Sequence, residues 1–336
     1  MNASKEPPNG STATLSEQNV QDLLIETSRT FAVCIPMLPD SIRQSVGIAY
    51  LLYRVADTIE DGTVLNKPQR IQLLRDFGSV LEAAQMSKPE WIYQGVQLQG
   101  HCPTDNEHDL RLFRQTTRVV ATALQSAPVV SKVMFSRVRA SVEGMERFVV
   151  QGGRDGSVQL QSKAELWDYC YCVAGLVGEM LTEFFLHDQP QLQCVSETLL
   201  SQASDFGEAL QLVNILKDTD TDDREGRCFI SQDVSRAMLI ERAREKLASA
   251  QQYIDVLHDN AADKGVVQFT QFPISLATRT LDRIVAEGGG AKISRAEVLQ
   301  IVEELETMKF ANDCNAKSDC DAIRDSNPQA VKEPGP

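Results

Sequence analysis

No stretch of this 336-residue chain runs apolar for the roughly 18–20 residues that cross a bilayer. The opening MNASKEPPNGSTATLSEQ lacks the apolar segment of a secretory signal, and the sequence closes in a polar stretch rather than an anchor helix. Basic residues are in deficit: 33 Lys and Arg face 47 Asp and Glu, a formal net charge of −14. No basic surface is then available to neutralise phosphates, which argues against a nucleic-acid partner. An anionic small molecule would need metal ions or local arginines to hold it. The eight cysteines, at positions 34, 102, 170, 172, 194, 228, 314 and 320, lack paired metal-ligand spacing. Cys170 and Cys172 stand two apart, which on a helix points them to nearly opposite sides. Reduced thiols in a cytoplasm are the plain expectation. There is also no Gly-x-Gly-x-x-Gly dinucleotide fingerprint and no internal repeat.

Period-two alternation of β-branched residues is scarce, whereas apolar residues recur at three and four almost throughout. With 42% hydrophobic residues, the chain can bury the core of one large helical domain. Ser, Asn, Pro and Gly dominate the first 17 residues, and the segment from 312 to 336 is similar. Both are expected to be disordered tails around a domain at 18–311. Pro36, Pro39, Pro68, Pro128 and Pro190 mark helix boundaries, Gly152–Gly153 and Gly288–Gly290 mark loops, and Pro273 falls inside an apolar helix that it should kink. The pattern predicts helices near 18–33, 41–61, 69–86, 107–124, 130–150, 162–187, 196–220, 233–258, 264–286 and 293–310.

Two of these helices carry acids where a surface helix would not. In SIRQSVGIAYLLYRVADTIED (41–61), Tyr50, Arg54, Asp57 and Asp61 share a strip about 60° wide at 100° per residue. Most other positions from Val46 to Ile59 are apolar. A helix apolar nearly all round is buried, so the strip should line an internal cavity, where carboxylates one turn apart can chelate a hard cation. A solvated i,i+4 charge face is the alternative. The segment FGEALQLVNILKDTDTDDREGRCFI (206–230) repeats the arrangement with Gln211, Asn214, Asp218, Asp222 and Glu225. Four buried acids without partners would each cost several kcal/mol, and bound divalent metal compensates. Asp218-x-Asp220-x-Asp222 also opens like an EF-hand loop. That template needs Gly at its sixth position and Glu at its twelfth, where this chain has Asp223 and Phe229.

These segments resemble the squalene and phytoene synthase family in four ordered blocks. They are Ser28-Arg29-Thr30-Phe31; Tyr50, Arg54, Asp57, Glu60 and Asp61 of a Tyr-x-x-x-Arg-x-x-Asp-x-x-Glu-Asp pattern; Tyr169-Cys170-Tyr171-Cys172-Val173-Ala174-Gly175-Leu176-Val177-Gly178; and Gln211, Asn214, Lys217, Asp218, Asp222, Gly226 and Arg227. The resemblance implies an all-α, single-domain class I isoprenoid synthase fold, with two aspartate-rich helices facing a central cavity. It implies Mg2+ held by Asp57, Asp61, Asp218 and Asp222, with Glu60 assisting. Diphosphate contacts would come from Arg29, Arg54, Lys217 and Arg227, since guanidinium and ammonium groups match phosphate oxygens, with Ser28, Gln211 and Asn214 also binding substrate. Tyr169 would assist proton removal, and Phe31 and Tyr50 would border the reacting carbons.

The family couples two allylic diphosphates head to head. The Val-Ala-Gly-Leu-Val-Gly run and Phe269-x-x-x-Pro273-x-x-Leu276-Ala277 resemble squalene synthases, where Phe and Pro line a second-step pocket. The expected reaction is therefore farnesyl diphosphate to squalene via presqualene diphosphate, with NADPH. Phytoene, dehydrosqualene and presqualene-diphosphate synthases, and a non-catalytic assembly factor of the same fold, are the alternatives. A monomeric, cytoplasmic protein, at most peripheral at a membrane surface, is expected.

Overall fold

The structure, a computed structural model, describes residues 12–308 except 63, 225 and 289. Its helices are α1 (Glu17–Thr27), α2 (Phe31–Cys34), α3 (Asp40–Glu60), α4 (Lys67–Gln85), α5 (Glu90–Gln99), α6 (Glu107–Phe113), α7 (Thr116–Ala123), α8 (Pro128–Gln151), α9 (Lys163–Cys170), α10 (Leu176–Asp188), α11 (Ser196–Arg224), α12 (Arg236–Asp259), α13 (Lys264–Glu287) and α14 (Arg295–Glu306). A π-helical turn, Tyr171–Gly175, joins α9 to α10, and 3-10 turns stand at Ile35–Met37 and Pro190–Val195. The described residues contain no strand, only an isolated parallel bridge between Gln159 and Cys228. The all-α expectation holds.

Local chemistry sets the boundaries. Asn66 and Gln69 form a capping box at α4, as Ser294 and Glu297 do at α14, satisfying N–H groups that a helix start leaves without partners. Pro68 and Pro128 sit in first turns, where a missing N–H costs nothing. Pro273 lies inside α13, as expected, with its ring buried.

Several boundaries differ from expectation. The helix expected over 18–33 breaks at Ser28, whose backbone is extended (φ −141°, ψ 132°) and whose Oγ accepts the Phe31 N–H at 2.9 Å. The one expected over 107–124 breaks at Gln115 (φ −106°, ψ 11°). Helix α5 was not expected. Its Gly95 is the reason it packs where it does: a Cβ there would meet Thr117 Cγ2 at 2.6 Å.

The ordered chain also begins before residue 18. Leu15 is buried, its N–H donating to Thr122 Oγ1 at 2.8 Å, and Ser16 caps α1. Of the tails expected at 1–17 and 312–336, residues 1–11 and 312–336 lie outside the described residues. Lys163–Asp188, α9 through α10, is long and apolar enough to cross a membrane by length and composition, contrary to the sequence expectation; 67% of its apolar window is buried by the fold itself.

Helix α3 is the hub. Leu51, Leu52, Val55, Ala56 and Ile59 are all fully buried, and α3 packs against α1, α4, α6, α7, α8 and α10. Helix α11 packs against α10, α12 and α13. The approach of α10 to α11 depends on glycine. A Cβ at Gly178 would lie 2.0 Å from the Ala203 carbonyl, and one at Gly207 would lie 1.9 Å from that of Ala174.

Candidate active site

The C-terminal ends of α3 and α11 meet. Asp61 is the C-cap of α3, Asp222 lies in the last turn of α11, and Arg227 spans them. Its Nη1 donates to Asp61 Oδ1 at 3.1 Å, while Nε and Nη2 donate to Asp222 Oδ1 at 3.1 and 2.9 Å. Arg227 can reach back because Gly226 before it adopts φ +78°, a left-handed conformation that a Cβ would disfavour. Asp218, one turn before Asp222, pairs with Lys217 Nζ at 3.1 Å, and Lys217 also donates to Asn214 Oδ1 at 3.3 Å. Asn214 is exposed and Gln211 half-buried on the same helix. Glu225 is outside the described residues.

On α3 the acids are crowded into low-dielectric surroundings. Burial, reinforced by Asp61 and Asp109 against the pull of Arg54, raises the Asp57 carboxyl to about 7. Glu60 is 5% exposed, and its Oε1 is buried with no hydrogen-bond partner. Burial, then repulsion from Asp61 and Asp57, pushes that carboxyl well up despite Arg70 and Arg227. Asp222 is raised mainly by burial, opposed by Arg227. An all-oxygen donor set containing an orphaned buried carboxylate suits a hard divalent cation such as Mg2+. Among the described residues no three acids, histidines or cysteines converge closely enough to hold an ion as they stand. Arg227 is instead the counter-ion joining the two helix ends.

Tyr169, 5% exposed on α9, stands beside these acids between Phe148 (edge-on, 5.2 Å between centroids) and Phe229 (tilted, 5.2 Å). Burial, then Glu60, Asp61 and Asp57, raise its phenol well above the usual value. It is therefore a neutral hydroxyl, not a stored phenolate. Phe31 and Tyr50 pack 5.4 Å apart, and the Tyr50 hydroxyl donates to the Thr27 carbonyl at 2.9 Å. Phe269 is buried edge-on to Phe185 at 6.2 Å, one turn from Pro273.

The expected diphosphate contacts divide. Arg29 is exposed, with no side-chain hydrogen bond or ion pair among the described residues, and is free to meet an anion. Arg54 is not. Its Nε and Nη2 donate to Asp109 Oδ1 and Oδ2 at 2.9 and 2.8 Å, a bidentate fork locking α3 to α6. Its Nε and Nη2 are thus engaged within the fold. Ser28 serves its own turn by accepting the Phe31 N–H.

Sequence reasoning missed Asp109, whose partner is 55 residues away and leaves no local signal. It also missed Arg70, buried near Glu60 and Asp61. The register was a usable clue there, since Arg70 precedes Leu73, Leu74 and Phe77 on the buried face of α4.

The chain is similar to known proteins in both sequence and fold. The chain is 29% identical to the Candida albicans squalene synthase ERG9 over 216 residues, 63% of this chain and 45% of that one. It is 27% identical to the Yarrowia lipolytica squalene synthase over 292 residues, 78% of this chain and 60% of that one. The chain thus spans about half the length of the curated relatives it matches. A ligand complex of TcSQS superposes with a TM-score of 0.66 at 22% identity, covering 86% of this chain and 85% of that one. A dehydrosqualene synthase complex superposes with a TM-score of 0.57 at 19% identity, covering 86% and 94%. These likenesses place the fold as the all-α isoprenoid synthase fold. The squalene/phytoene synthase family pattern matches residues 24–238, a span that contains both acid-bearing helix ends, Tyr169 and the Arg227 bridge; the chain belongs to the squalene/phytoene synthase family.

Proposed function

We propose that this protein is a farnesyl-diphosphate farnesyltransferase of the squalene synthase type. It would join two farnesyl diphosphates head to head into presqualene diphosphate and reduce that intermediate to squalene with NADPH. The observation that carries this reading is the meeting of the α3 and α11 acids beside Tyr169, in a chain whose relatives are squalene synthases.

Asp57, Glu60 and Asp61 from α3 and Asp218 and Asp222 from α11 would hold Mg2+, which supplies Lewis-acid stabilisation of a departing diphosphate. Arg29, which has no hydrogen bond or ion pair among the described residues, and Lys217 would meet diphosphate oxygens. Arg227 would exchange one of its carboxylates for the anion, keeping the charge of the site balanced. Phe31 and Tyr50 present ring faces that favour a nearby carbocation, and the packed apolar residues around Tyr169 exclude water. The neutral Tyr169 hydroxyl would take on its oxygen the proton lost from carbon as the cyclopropane closes, while giving its own O–H proton to a diphosphate oxygen. NADPH, when bound, would supply the hydride for the second step, and Phe269 and Pro273 would shape an apolar wall there.

The protein would act in the cytoplasm as a monomer, contacting a bilayer surface at most peripherally to deliver its apolar product.

Incubation with farnesyl diphosphate and Mg2+, with and without NADPH, tests the reading by mass spectrometry. Squalene should form with NADPH, and presqualene diphosphate should accumulate without it. A forty-carbon product from geranylgeranyl diphosphate, with no thirty-carbon product from farnesyl diphosphate, would replace squalene with phytoene chemistry.

A further inference from the structure

Arg70 belongs to none of the four sequence blocks, yet its guanidinium lies at the point where the site's loops converge. It is 8% exposed. Its Nη2 donates to the Gly62 carbonyl at 2.7 Å and its Nη1 to the Gly156 carbonyl at 2.9 Å. Gly62 directly follows Asp61. A Cβ at Gly62 would come within 2.8 Å of the Pro103 carbonyl, so the residue is wedged in place. Gly156 adopts φ +86° and lies flat against Lys67, whose Nζ donates to the Gly152 carbonyl of the same loop at 3.0 Å.

That loop reaches the second acidic helix. The Cys228 N–H donates to the Val158 carbonyl at 2.9 Å, and the Leu160 N–H donates to the Cys228 carbonyl at 2.8 Å. Cys228 directly follows Arg227, which returns to Asp61 and Asp222. The contacts form a closed ring: Asp61, Gly62, Arg70, Gly156, the 158–160 segment, Cys228, Arg227, and Asp61 again.

A buried guanidinium held by two neutral carbonyls is an expensive fastener, because desolvating the charge costs several kcal/mol. Its Nε has no hydrogen-bond partner. The charge is offset instead by Asp61, Asp155 and Glu60, close by but not hydrogen-bonded to it. A cation in this position both spaces the two acidic ends and tempers their mutual repulsion.

We propose that Arg70 is a positioning residue that sets the separation of the α3 and α11 acids for magnesium and diphosphate. The inference rests on the proposed function for its ligand and on the ring of contacts for its geometry.

Two measurements on the full chain separate these supports. Calorimetric titration with inorganic pyrophosphate and Mg2+ compares wild type with Arg70→Met and Arg70→Lys. Hydrogen exchange follows the peptide over 226–230, which Arg70 does not touch. Arg70→Met should bind Mg2+–pyrophosphate about tenfold or more weakly, as is usual when a group supporting metal ligands is lost. Its 226–230 amides should exchange faster. Arg70→Lys should fall between, since an ammonium keeps the charge and one carbonyl contact. Wild-type affinity or unchanged 226–230 exchange in Arg70→Met overturns the inference. If the Met variant does not fold, wild-type affinity in a cooperatively melting Arg70→Lys variant overturns it equally. A wild-type protein that binds no Mg2+–pyrophosphate would sink the proposed function, while the exchange arm still decides whether Arg70 governs the spacing.

Discussion

Asp61 and Asp222, 161 positions apart in the chain, share one guanidinium, with Arg227 Nη1 at 3.1 Å from the first and Nη2 at 2.9 Å from the second. Each acid is one turn beyond another, Asp57 and Asp218, so the shared cation brings two carboxylate ladders to one place. The metal-dependent site proposed on this arrangement has consequences that can be measured.

Asp57→Asn and Asp218→Asn should each remove most turnover with magnesium while leaving helicity by circular dichroism unchanged. Both carboxylates are read as ligands rather than core, and an amide is a poorer ligand for a hard cation. Full activity in Asp218→Asn would sink the two-helix site.

The raised Asp57 carboxyl makes a pH signature. The folded protein holds this proton up to about pH 7, whereas the unfolded chain releases it near pH 4. The penalty for ionising Asp57 in the fold is absent below that range and grows as pH rises through it to about 7. In EDTA, the Tm of Asp57→Asn should therefore gain on wild type between pH 5 and pH 7.5. Magnesium at pH 7.5 should raise the wild-type Tm and narrow the gap. A gap that does not change with pH would contradict this.

Arg54→Met should destabilise the fold itself. It strands Asp109, 7% exposed, without its bidentate partner, at a cost of roughly 3 kcal/mol. Asp109→Asn, which keeps a hydrogen-bonding group in place, should cost less. Urea unfolding of both variants checks the order.

Tyr169→Phe should separate stability from activity. The hydroxyl makes no hydrogen bond among the described residues, so removing it should shift unfolding by no more than about 0.5 kcal/mol. Formation of presqualene diphosphate should nevertheless fall sharply, because the proton lost in cyclopropane closure loses its first acceptor. Phe269→Ala should act later, lowering squalene relative to presqualene diphosphate.

Gly207→Ala tests the approach of the Tyr171–Gly175 turn, which leads into α10, to α11. The added methyl would lie 1.9 Å from the Ala174 carbonyl, so the helices must part. That should cost about 1–3 kcal/mol and displace the acids that α11 carries. Thermal melts together with magnesium titration distinguish this from a purely local change.

The sequence alone determined most of the helices, though not α5 or the breaks at Ser28 and Gln115, and the identity of the acids. Periodicity of three and four is a local property, and so are capping residues such as Ser162, Ser235 and Ser294. The four motif blocks named Asp57, Asp61, Asp218, Asp222 and Tyr169 without reference to any contact. What the tertiary structure decided was pairing. Arg54 reads from the sequence as a phosphate contact, and only the packing of α6 brings Asp109 to its Nε and Nη2. Arg227 reads the same way, and only the turn at Gly226 shows it folded back between two acids. The break at Ser28 was invisible because one hydroxyl accepting one N–H ended a helix that the apolar pattern would have continued. Arg70 was passed over because its partners are backbone carbonyls, which no side-chain pattern encodes. Spacing along a chain determines which face a residue occupies. Only the packing of distant segments determines which opposite charge that face meets, because Coulomb and hydrogen-bond partners are chosen by distance in space.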